Sequence, residues 1–334
     1  MAIEKMNNNN MMDDILVVNN LKKYYPISKL SLGKSKTYVK AVDDISFSIK
    51  RGTTMALVGE SGCGKTTVGR TILRLHDVTA GQVLFDGKDL AKVSSRSLRK
   101  LRPQMQMIFQ DPYSSLSPRL PVGEIIGEAV KEHNIVPKSQ YRSYILKVMR
   151  DCGLQPQYFY RYPHEFSGGQ RQRISIARAV ALNPKFIICD EPLSALDVSI
   201  QAQIINLMKD LQEQYGYTYL FISHDLSVVE YISDTIGVMY LGSMMEMGDK
   251  KRIFAKPMHP YSQALLSAVP VSNPDVKMNR IILKGDIPSP VNPPSGCKFR
   301  TRCPYAMLVC AQKVPVLKEY EEGHQVACHL YSQE

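Results

Sequence analysis

The sequence predicts an α/β fold built on a mainly parallel sheet and followed by a small irregular domain. Up to residue 247, short apolar runs of strand length alternate with segments whose apolar residues recur at helical spacing. Strands that alternate with helices are typical of parallel sheets covered by helices. After Gly248 the proline content rises and the alternation ends, which predicts a change of architecture there. A length of 334 residues also favours one large domain and one smaller one over a single core.

The individual elements follow from run length and periodicity. Apolar runs bounded by turn residues predict strands, and one of them ends at Asp86-Gly87, a strong turn dipeptide. The predicted strands are residues 15–18, 41–49, 54–58, 82–85, 105–109, 186–189, 218–222, 236–240 and 244–247. Helical spacing predicts helices at residues 67–75, 168–182, 199–215 and 226–232, and a helical insert over about residues 120–160.

A glycine-rich loop joins the third predicted strand to the first predicted helix. Its sequence, Gly-Glu-Ser-Gly-Cys-Gly-Lys-Thr, fits the phosphate-loop pattern of nucleoside triphosphate sites. Glycines let consecutive N–H groups face phosphate oxygens, and the next helix directs its positive end at the same charge, whereas a plain glycine-rich turn would not require the lysine and threonine. Lys65 is expected to reach the β- and γ-phosphates, and the Thr66 hydroxyl to ligate Mg²⁺. The predicted nucleotide-binding residues here are Gly59, Glu60, Ser61, Gly62, Cys63, Gly64, Lys65, Thr66 and Thr67.

The position of Cys63 in the loop predicts a reactive thiol. It lies among the N–H groups at a helix N-terminus, where the thiolate form is favoured. The sequence therefore predicts a thiol that alkylating reagents modify and that nucleotide protects. The alternative is an inert, small loop residue.

Two carboxylates end the strand predicted at residues 186–189. Asp190 is suited to bind Mg²⁺, usually through water, and Glu191 is suited to polarise an attacking water molecule. An apolar run followed by Asp-Glu is common, so its weight comes from the motifs beside it. These are Phe-Ser-Gly-Gly-Gln at residues 166–170 and Ser-Ala-Leu-Asp at residues 194–197.

Ser167 and Gln170 have the spacing of a helix capping box. One interpretation is therefore a well-capped helix and nothing more. The functional interpretation is a second anion-binding helix N-terminus, where Gly168 and Gly169 let the backbone approach a γ-phosphate closely.

In their order and spacing, these motifs resemble those of ABC-type ATPases. The resemblance implies that residues 167–170 are the signature motif, that residues 194–197 are the D-loop and that His224 is the switch histidine. It also assigns Gln110 to the Q-loop, as a catalytic and magnesium-binding residue. Asp197 would contact nucleotide from the D-loop.

The same resemblance implies cofactors and an assembly. ATP and Mg²⁺ are the expected cofactors, and the adenine ring is expected to stack on Tyr38 or Tyr25, with Tyr38 preferred. The implied assembly is a head-to-tail dimer with a second ABC ATPase subunit, identical or different. In such a dimer the signature of one subunit closes on the nucleotide held by the phosphate loop of the other.

A sharper resemblance is to the ATPase subunits of bacterial dipeptide and oligopeptide importers. It rests on Phe-Gln-Asp-Pro-Tyr at residues 109–113, His-Pro-Tyr at residues 259–261 and Ile-Pro-Ser-Pro at residues 287–290. It implies an ATP-hydrolysing subunit that energises peptide import through two membrane permease subunits and is served indirectly by an extracytoplasmic peptide-binding protein. A nickel importer is the alternative, because other subunits select the substrate.

The resemblance also implies a domain organisation. Residues 1–13 are expected to be a disordered lead, and residues 14–256 an ABC ATPase domain with a helical subdomain over about residues 111–165. Residues 257–334 are expected to be the C-terminal domain of this importer group. The protein would lie at the cytoplasmic face of the cell membrane, held there by the permease.

Charge and composition bear on three other classes: nucleic-acid ATPases, membrane-spanning proteins and secreted proteins. The formal net charge of +11 also fits a soluble nucleic-acid ATPase of the same superfamily. Repair ATPases of that kind carry metal-binding insertions between phosphate loop and signature, but here that interval holds only Cys152, and no nucleic-acid partner is expected. No apolar segment approaches the ~20 residues of a membrane helix. The odd number of cysteines, seven, does not suit a secreted disulfide framework, so a cytosolic protein is predicted.

The proline-rich tail holds four cysteines: Cys297, Cys303, Cys310 and Cys328. A tail so short buries little apolar surface and needs a staple, while a cytosolic location disfavours disulfides. Zinc sites more typically show paired Cys-x-x-Cys arms, although His324 and His329 could substitute as ligands. The resemblance to peptide-importer ATPases implies instead a [4Fe-4S] cluster bound by the four thiolates, with Zn²⁺ as the alternative. Four thiols that bind no metal are the remaining alternative.

Overall fold

The computed structural model describes residues 13–27, 37–269 and 280–331. The predicted disordered lead lies outside these ranges except for its last residue. The described chain divides into two compact units. The first unit contains residues 13–15, 50–54 and 92–222, and the second contains residues 16–27, 37–49, 55–91, 223–269 and 280–331.

Strands and helices alternate along much of the described chain. The strands are β1 (Asp14–Pro26), β2 (Tyr38–Lys50), β3 (Thr54–Val58), β4 (Ala80–Phe85), β5 (Lys88–Asp89), β6 (Met105–Ile108), β7 (Phe186–Asp190), β8 (Thr218–Ile222), β9 (Thr235–Tyr240), β10 (Ser243–Asp249), β11 (Lys318–Glu321) and β12 (His324–Val326). The α-helices are α1 (Lys65–Ile72), α2 (Ser95–Leu101), α3 (Pro112–Ser115), α4 (Val122–Glu132), α5 (Tyr141–Asp151), α6 (Gly168–Val180), α7 (Val198–Tyr215), α8 (Leu226–Ile232), α9 (Lys250–Ala255), α10 (Pro260–Leu266) and α11 (Val309–Gln312).

The parallel strands β6, β7 and β8 form the centre of the first unit. β7 lies between the other two, with Phe186 opposite Met105 on β6 and opposite Thr218 on β8. All five residues of β7 and of β8 are buried, which is typical of parallel strands covered on both faces. In the same unit α4, α5 and α6 pack on one another through buried apolar residues such as Ile125 and Ile145.

The second unit contains strands of two sheets. β1 lies between β2 and β4, and β5 completes this sheet, with Leu16 opposite Phe85 in an antiparallel pair. In the other sheet β3 pairs in parallel with β9. From β9 the order continues through β10 and β12 to β11, and all these neighbours are antiparallel. The last two strands belong to the tail, so the tail extends a sheet of its own unit.

The predicted α/β class is confirmed, and most elements form within a few residues of their predicted bounds. The sheets are less parallel than predicted, because the pairs from β9 to β11 and those of β1, β4 and β5 are antiparallel. α2 was not predicted, because Leu98 and Leu101 are its only apolar residues; the Ser94 hydroxyl caps it by accepting from Ser97 N at 3.3 Å. The region after Gly248 is less irregular than expected, since it contains α9 to α11 and the pair β11–β12. Residues 280–308 form neither helix nor strand.

Candidate functional site

The glycine-rich loop lies between β3 and α1, and the second unit contains it. Gly59 and Gly64 both have positive φ angles, 148° and 108°. A Cβ atom on Gly59 would lie 2.2 Å from Met239 O, and one on Gly64 would lie 2.1 Å from Ala41 O. Only glycine fits these two positions, because any side chain would meet a backbone oxygen. The tip of the loop, residues 61–62, is exposed.

The side chain of Lys65 folds back over this loop. Its Nζ donates to Gly59 O at 2.7 Å and to Glu60 O at 3.2 Å, and the residue is only 4% exposed. Among the described residues, no side chain caps the N-terminus of α1. The first N–H groups of a helix favour an anion when no side chain caps them, so the loop and Lys65 suit a phosphate group.

The structure does not support the predicted reactivity of Cys63. The side chain is buried, and burial raises the pKa of the thiol by more than the nearby Lys65 ammonium lowers it. A thiol with a raised pKa is protonated near neutral pH and is a poor nucleophile. The expected thiolate is therefore wrong, and Cys63 matches the alternative of an inert loop residue.

The predicted catalytic carboxylates follow β7 in the first unit. Asp190 is fully buried, whereas Glu191 is partly exposed. Glu191 has a φ of 46°, a left-handed conformation that residues other than glycine rarely adopt. The turn is held because Glu191 N donates to Ile222 O at 3.0 Å and Ser194 Oγ donates to Glu191 O at 3.1 Å. Such held, strained positions are typical of functional sites, because they fix the direction of the side chain.

Gln110 and Glu191 are brought together although they are far apart in sequence. Nε2 of Gln110 donates to Oε2 of Glu191 at 3.1 Å. The contact forms because β6 and β7 are parallel neighbours, so the residues that follow them lie at one edge of the sheet. The pair presents an amide oxygen and a carboxylate, groups that can orient a water molecule.

The capping box predicted at the start of α6 is confirmed. Gln170 N donates to Ser167 Oγ at 3.4 Å, and Ser167 N donates to Gln170 Oε1 at 3.1 Å. Ser167 and Gly168 are exposed, and so an anion outside the unit can reach this helix start. The second anion-binding role predicted for it stays a prediction.

The segment predicted as the D-loop packs beside this helix start. A Cβ atom on Gly168 would lie 3.5 Å from Leu196 Cδ2, and one on Gly169 would lie 2.5 Å from Ile200 Cγ2. Asp197 is exposed at the N-cap position of α7. Both segments therefore contribute to one exposed surface of the first unit.

His224 lies in the second unit, between β8 and α8, and is exposed. The next residue, Asp225, caps α8 by accepting from the backbone N–H of Ser227 at 2.9 Å and of Val228 at 3.3 Å. This cap fixes the turn that carries the histidine, whose predicted role as a switch stays a prediction.

The two candidates for stacking on adenine differ in their surroundings. Tyr38 begins β2 and is exposed. Tyr25 packs its ring edge against His76, with 5.7 Å between ring centroids, and the Lys23 ammonium lies 4.8 Å from its ring centre. Tyr38 is therefore the more accessible ring, and its predicted stacking on adenine stays a prediction.

The sequence analysis missed two residues that contact the phosphate loop from the C-terminal region. Tyr261 Oη accepts a hydrogen bond from Glu60 N at 2.9 Å. Arg302 donates from its two terminal nitrogens to the two carboxylate oxygens of Glu60, at 2.7 and 3.0 Å. The His-Pro-Tyr sequence was a signal for Tyr261, but no local pattern points to Arg302.

A buried contact between Glu246 and His324 supports the region around Tyr261. Glu246 and His324 are both 0% exposed, with 2.7 Å between Oε1 and Nε2. Glu246 also accepts from the backbone N–H of Met258 at 2.7 Å and of His259 at 2.9 Å. His259 Nδ1 accepts in turn from Tyr261 N at 3.0 Å and so caps α10. A chain of hydrogen bonds thus connects α10 to β10 and β12.

The predicted iron–sulfur cluster is corrected by the structure. None of the four tail cysteines forms a disulfide, and within residues 13–27, 37–269 and 280–331 no group of three or more His, Cys, Asp or Glu side chains could hold a metal ion. Burial raises the pKa of the Cys297 and Cys303 thiols, and that of Cys328 to about 11.

The histidines considered as zinc ligands have other partners. His324 is the partner of Glu246, and His329 Nε2 lies 2.9 Å from Lys313 O. The tail is held instead by β10–β12 pairing and by backbone contacts such as Cys297 N to Cys310 O at 2.8 Å. Neither a [4Fe-4S] cluster nor zinc is therefore assigned to this chain.

The donor set predicted for magnesium has suitable chemistry. Thr66 in the first turn of α1 offers a hydroxyl oxygen, Gln110 an amide oxygen and Asp190 a carboxylate. These hard oxygen ligands are the kind that Mg²⁺ binds.

None of the helices in the described part of the chain is long and apolar enough to cross a membrane.

Comparison with protein-family models gives two matches. A model described as ABC transporter matches residues 42–194. A second, described as the C-terminal region of oligopeptide/dipeptide transporters, matches residues 245–310. The phosphate loop, the signature and the carboxylates lie within the first match, and Tyr261 and Arg302 lie within the second.

Related proteins match nearly the whole chain. An oligopeptide transport ATP-binding protein of Bacillus subtilis (strain 168) is 54% identical over 323 residues, which is 96% of this chain and 98% of that protein. A putative peptide import ATP-binding protein of Brucella ovis is 53% identical over 314 residues, covering 94% of this chain and 97% of that protein.

Solved structures share the fold. The cbiO1 protein of Clostridium perfringens, part of the ABC transporter complex cbiONQ, matches with a TM-score of 0.64 and 28% identity, over 73% of this chain and 92% of that one. A dimeric ATP-binding cassette in a post-hydrolysis state, bound to ADP and Pi, matches with a TM-score of 0.62 and 27% identity, over 70% of this chain and 98% of that one.

Proposed function

Because this chain belongs to the ABC transporter family and is an ATPase of that type, we propose that it is the subunit that energises an importer of dipeptides or oligopeptides. The observation that carries the proposal is the phosphate loop, in which Lys65 Nζ is held against Gly59 O and Glu60 O below an exposed tip. The match of residues 245–310 to oligopeptide/dipeptide transporters and the names of the relatives support peptide as the substrate.

The second unit supplies the groups that bind the nucleotide. The N–H groups of residues 59–67 would cradle the phosphates, and Lys65 would neutralise charge on the β- and γ-phosphates. Tyr38 would stack on adenine through its exposed ring. His224 would sense the γ-phosphate from the fixed turn before α8.

The first unit supplies the groups that drive hydrolysis. Glu191 would polarise the attacking water, with Gln110 holding the carboxylate through the 3.1 Å hydrogen bond. Gln110 and Asp190 would be ligands of Mg²⁺, as would Thr66 of the second unit, and the ion would neutralise charge on the phosphates. Asp190 is fully buried, so its carboxylate is kept in one orientation.

The exposed surface formed by residues 167–170 and 194–197 supports a dimer of ATPase subunits. We assign to it the nucleotide held by a second subunit, which Ser167, Gly168, Gly169, Gln170 and Asp197 would contact. The dimeric state of the matched cassette that binds ADP and Pi supports this assembly. Homodimer and heterodimer use the same surface.

The proposed assembly includes two membrane permease subunits, and an extracytoplasmic peptide-binding protein acts on them. The chain would be a peripheral protein at the cytoplasmic face of the membrane. Residues 14–256 would form the ATPase domain, with a helical subdomain over about residues 111–165 that docks on the permease, and residues 257–334 the C-terminal domain. A nucleic-acid partner is not part of the proposal.

Reconstitution tests the function directly. The chain is purified with the permease and peptide-binding subunits encoded beside it and placed in proteoliposomes that contain ATP. We expect uptake of a labelled tripeptide or dipeptide, and ATPase activity that rises when the loaded binding protein is added. Uptake of labelled nickel ions without peptide uptake would establish the nickel alternative, and DNA-stimulated hydrolysis without permease would establish the nucleic-acid alternative.

Two lysine variants make the test specific to the phosphate loop. Lys65→Ala removes a charge-assisted contact to the phosphates and should weaken nucleotide binding and abolish uptake. Lys88→Ala changes an exposed lysine on β5 of the same unit and should leave both unchanged. Equal nucleotide affinity in the two variants would contradict the assigned site.

A further inference from the structure

The Arg302–Glu60 pair joins the C-terminal region to the phosphate loop. The guanidinium donates to both carboxylate oxygens, at 2.7 and 3.0 Å, which is the two-point geometry that makes such pairs strong and directional. The Arg302 side chain is 8% exposed and that of Glu60 is 24% exposed. The contact is therefore shielded from solvent to a degree that surface ion pairs are not.

A second contact from the same region holds the backbone of Glu60. Its N–H donates to Tyr261 Oη at 2.9 Å. Tyr261 is fully buried and packs against Tyr240 and Phe299, with ring centroids 4.9 and 5.3 Å away. The Arg302 guanidinium lies 5.8 Å from the Tyr240 ring centre, so one aromatic cluster positions both partners of Glu60.

Glu60 also contacts the lysine of the loop. Its carbonyl oxygen accepts from Lys65 Nζ at 3.2 Å, so the placement of Glu60 helps to set the placement of the ammonium. Three groups of one residue, the N–H, the carbonyl and the carboxylate, thus have fixed partners, and two of those partners come from the C-terminal region.

The charge of Glu60 matters because of its place in the loop. It is the second residue of the phosphate loop, and a carboxylate there without a counter-charge would repel a triphosphate. Repulsion between like charges a few ångströms apart near a protein surface lowers affinity by about tenfold or more. Pairing with Arg302 cancels this repulsion and directs the carboxylate to one side.

We propose that Arg302 is a positioning residue for nucleotide binding, through which the C-terminal region sets the affinity of the phosphate loop for ATP. It acts through Glu60, whose charge it neutralises and whose orientation it fixes, and it does not touch the nucleotide. The proposal rests on the proposed function in assigning ATP to this loop. It gives the C-terminal region a role in nucleotide binding in addition to any role in transport.

Nucleotide binding by four proteins tests the proposal: wild type, Arg302→Met, Glu60→Gln and the double variant. Affinity is measured on the full chain with a fluorescent ribose-labelled ATP, and kcat and KM for ATP are measured with the transporter. Arg302→Met should weaken binding about tenfold and raise KM, with kcat within about twofold of wild type. The double variant should bind within about twofold of Glu60→Gln, because no carboxylate remains to repel the phosphates.

Ionic strength separates charge from structure. Salt screens repulsion between partly exposed charges, so the difference between Arg302→Met and wild type should shrink as salt is raised. Arg302→Lys keeps the charge without the two-point geometry and should lie between wild type and Arg302→Met. Arg300→Met is the control, since Arg300 donates to Ser295 O and does not contact the loop in the hydrogen bonds observed among the described residues.

The binding measurements distinguish a failure of the Arg302 proposal from a failure of the proposed ATP site. If wild type and Lys65→Ala bind nucleotide equally, the proposed site itself fails. If wild type binds but Arg302→Met binds as well, or if removal of the Glu60 charge does not restore affinity to the double variant, the inference alone is overturned. A loss of thermal stability in Arg302→Met that Glu60→Gln does not relieve, with salt-independent affinity, would also overturn it.

Discussion

Gln110 and Glu191 are linked by a hydrogen bond of 3.1 Å from Nε2 to Oε2, across two neighbouring parallel strands. The bond directs the amide nitrogen to the carboxylate and leaves the amide oxygen of Gln110 for another partner. Glu191 itself occupies a left-handed backbone conformation that Ser194 and Ile222 hold in place. The Glu191 carboxylate is thus fixed by its own hydrogen bond to Gln110 and by the hydrogen bonds of its backbone. A carboxylate fixed in this way is suited to act on one water molecule.

Glu191→Gln should slow ATP hydrolysis about a hundredfold and leave ATP binding intact, because the base is lost while the phosphate contacts remain. The variant keeps the shape of the side chain, so binding and turnover can be separated by measuring nucleotide affinity and phosphate release on the same preparation. Glu213→Gln, on the exposed part of α7 in the same unit, is the matched control. Unchanged turnover in Glu191→Gln would exclude this residue as the base.

Gly169→Ala should destabilise the first unit by about 2 kcal/mol, whereas Gly168→Ala should cost much less. The reason is the space at each position: a Cβ atom would lie 2.5 Å from Ile200 Cγ2 at Gly169, but 3.5 Å from Leu196 Cδ2 at Gly168. The branched isoleucine cannot move its Cγ2 aside cheaply. Thermal unfolding of the two variants checks this, and equal melting temperatures would show that α7 yields at this contact.

Patterns that are local in sequence predicted much of the candidate site. Ser167 and Gln170 lie three residues apart, so their spacing predicted the capping box. The glycine-rich loop lies between a strand and a helix, as its sequence context predicted. β8 and α8 formed at their predicted bounds because apolar periodicity and flanking turns mark both ends. Such features need no knowledge of tertiary contacts.

Contacts between distant residues could not be predicted in the same way. Arg302 and Glu60 are 242 residues apart, and nothing local distinguishes Arg302 from any other arginine. Cys63 was misjudged because the helix N-terminus is visible in sequence while burial, which raises the thiol pKa, is not. The tail cysteines were assigned to a cluster because the resemblance to peptide-importer ATPases implied one, although neither resemblance nor spacing determines where side chains meet.

Glu246→Gln should lower the free energy of unfolding by about 3 kcal/mol. The carboxylate is fully buried and accepts from His324 Nε2 and from the backbone N–H groups of Met258 and His259, so an amide nitrogen in place of one oxygen would face a donor. Chemical unfolding measures the difference. The control is Glu124→Gln, which breaks the exposed pair with Lys131 and should lower the free energy of unfolding by less than about 1 kcal/mol. A similar decrease in both variants would show that burial of Glu246 does not determine its contribution to stability.

Stability should fall as pH is lowered below about 6.5, in part because of His259. Burial lowers the pKa of this imidazole from 6.5 to about 3, and its Nδ1 accepts from Tyr261 N, so the folded protein holds it neutral. Between these pH values the unfolded chain binds a proton that the folded chain does not. The free energy of unfolding therefore decreases as pH falls from 6.5 towards 3 and is fully retained above 6.5.

His259→Asn isolates this contribution, because asparagine can cap α10 with its side-chain oxygen but does not titrate. From pH 7.5 to pH 5, wild type should lose about 2 kcal/mol more of its free energy of unfolding than the variant does. The measurement is urea unfolding of both proteins at the two pH values, with all other titrating groups in common. Equal losses of unfolding free energy in wild type and the variant would contradict this prediction. They would show that burial of a neutral His259 does not make the protein sensitive to acid.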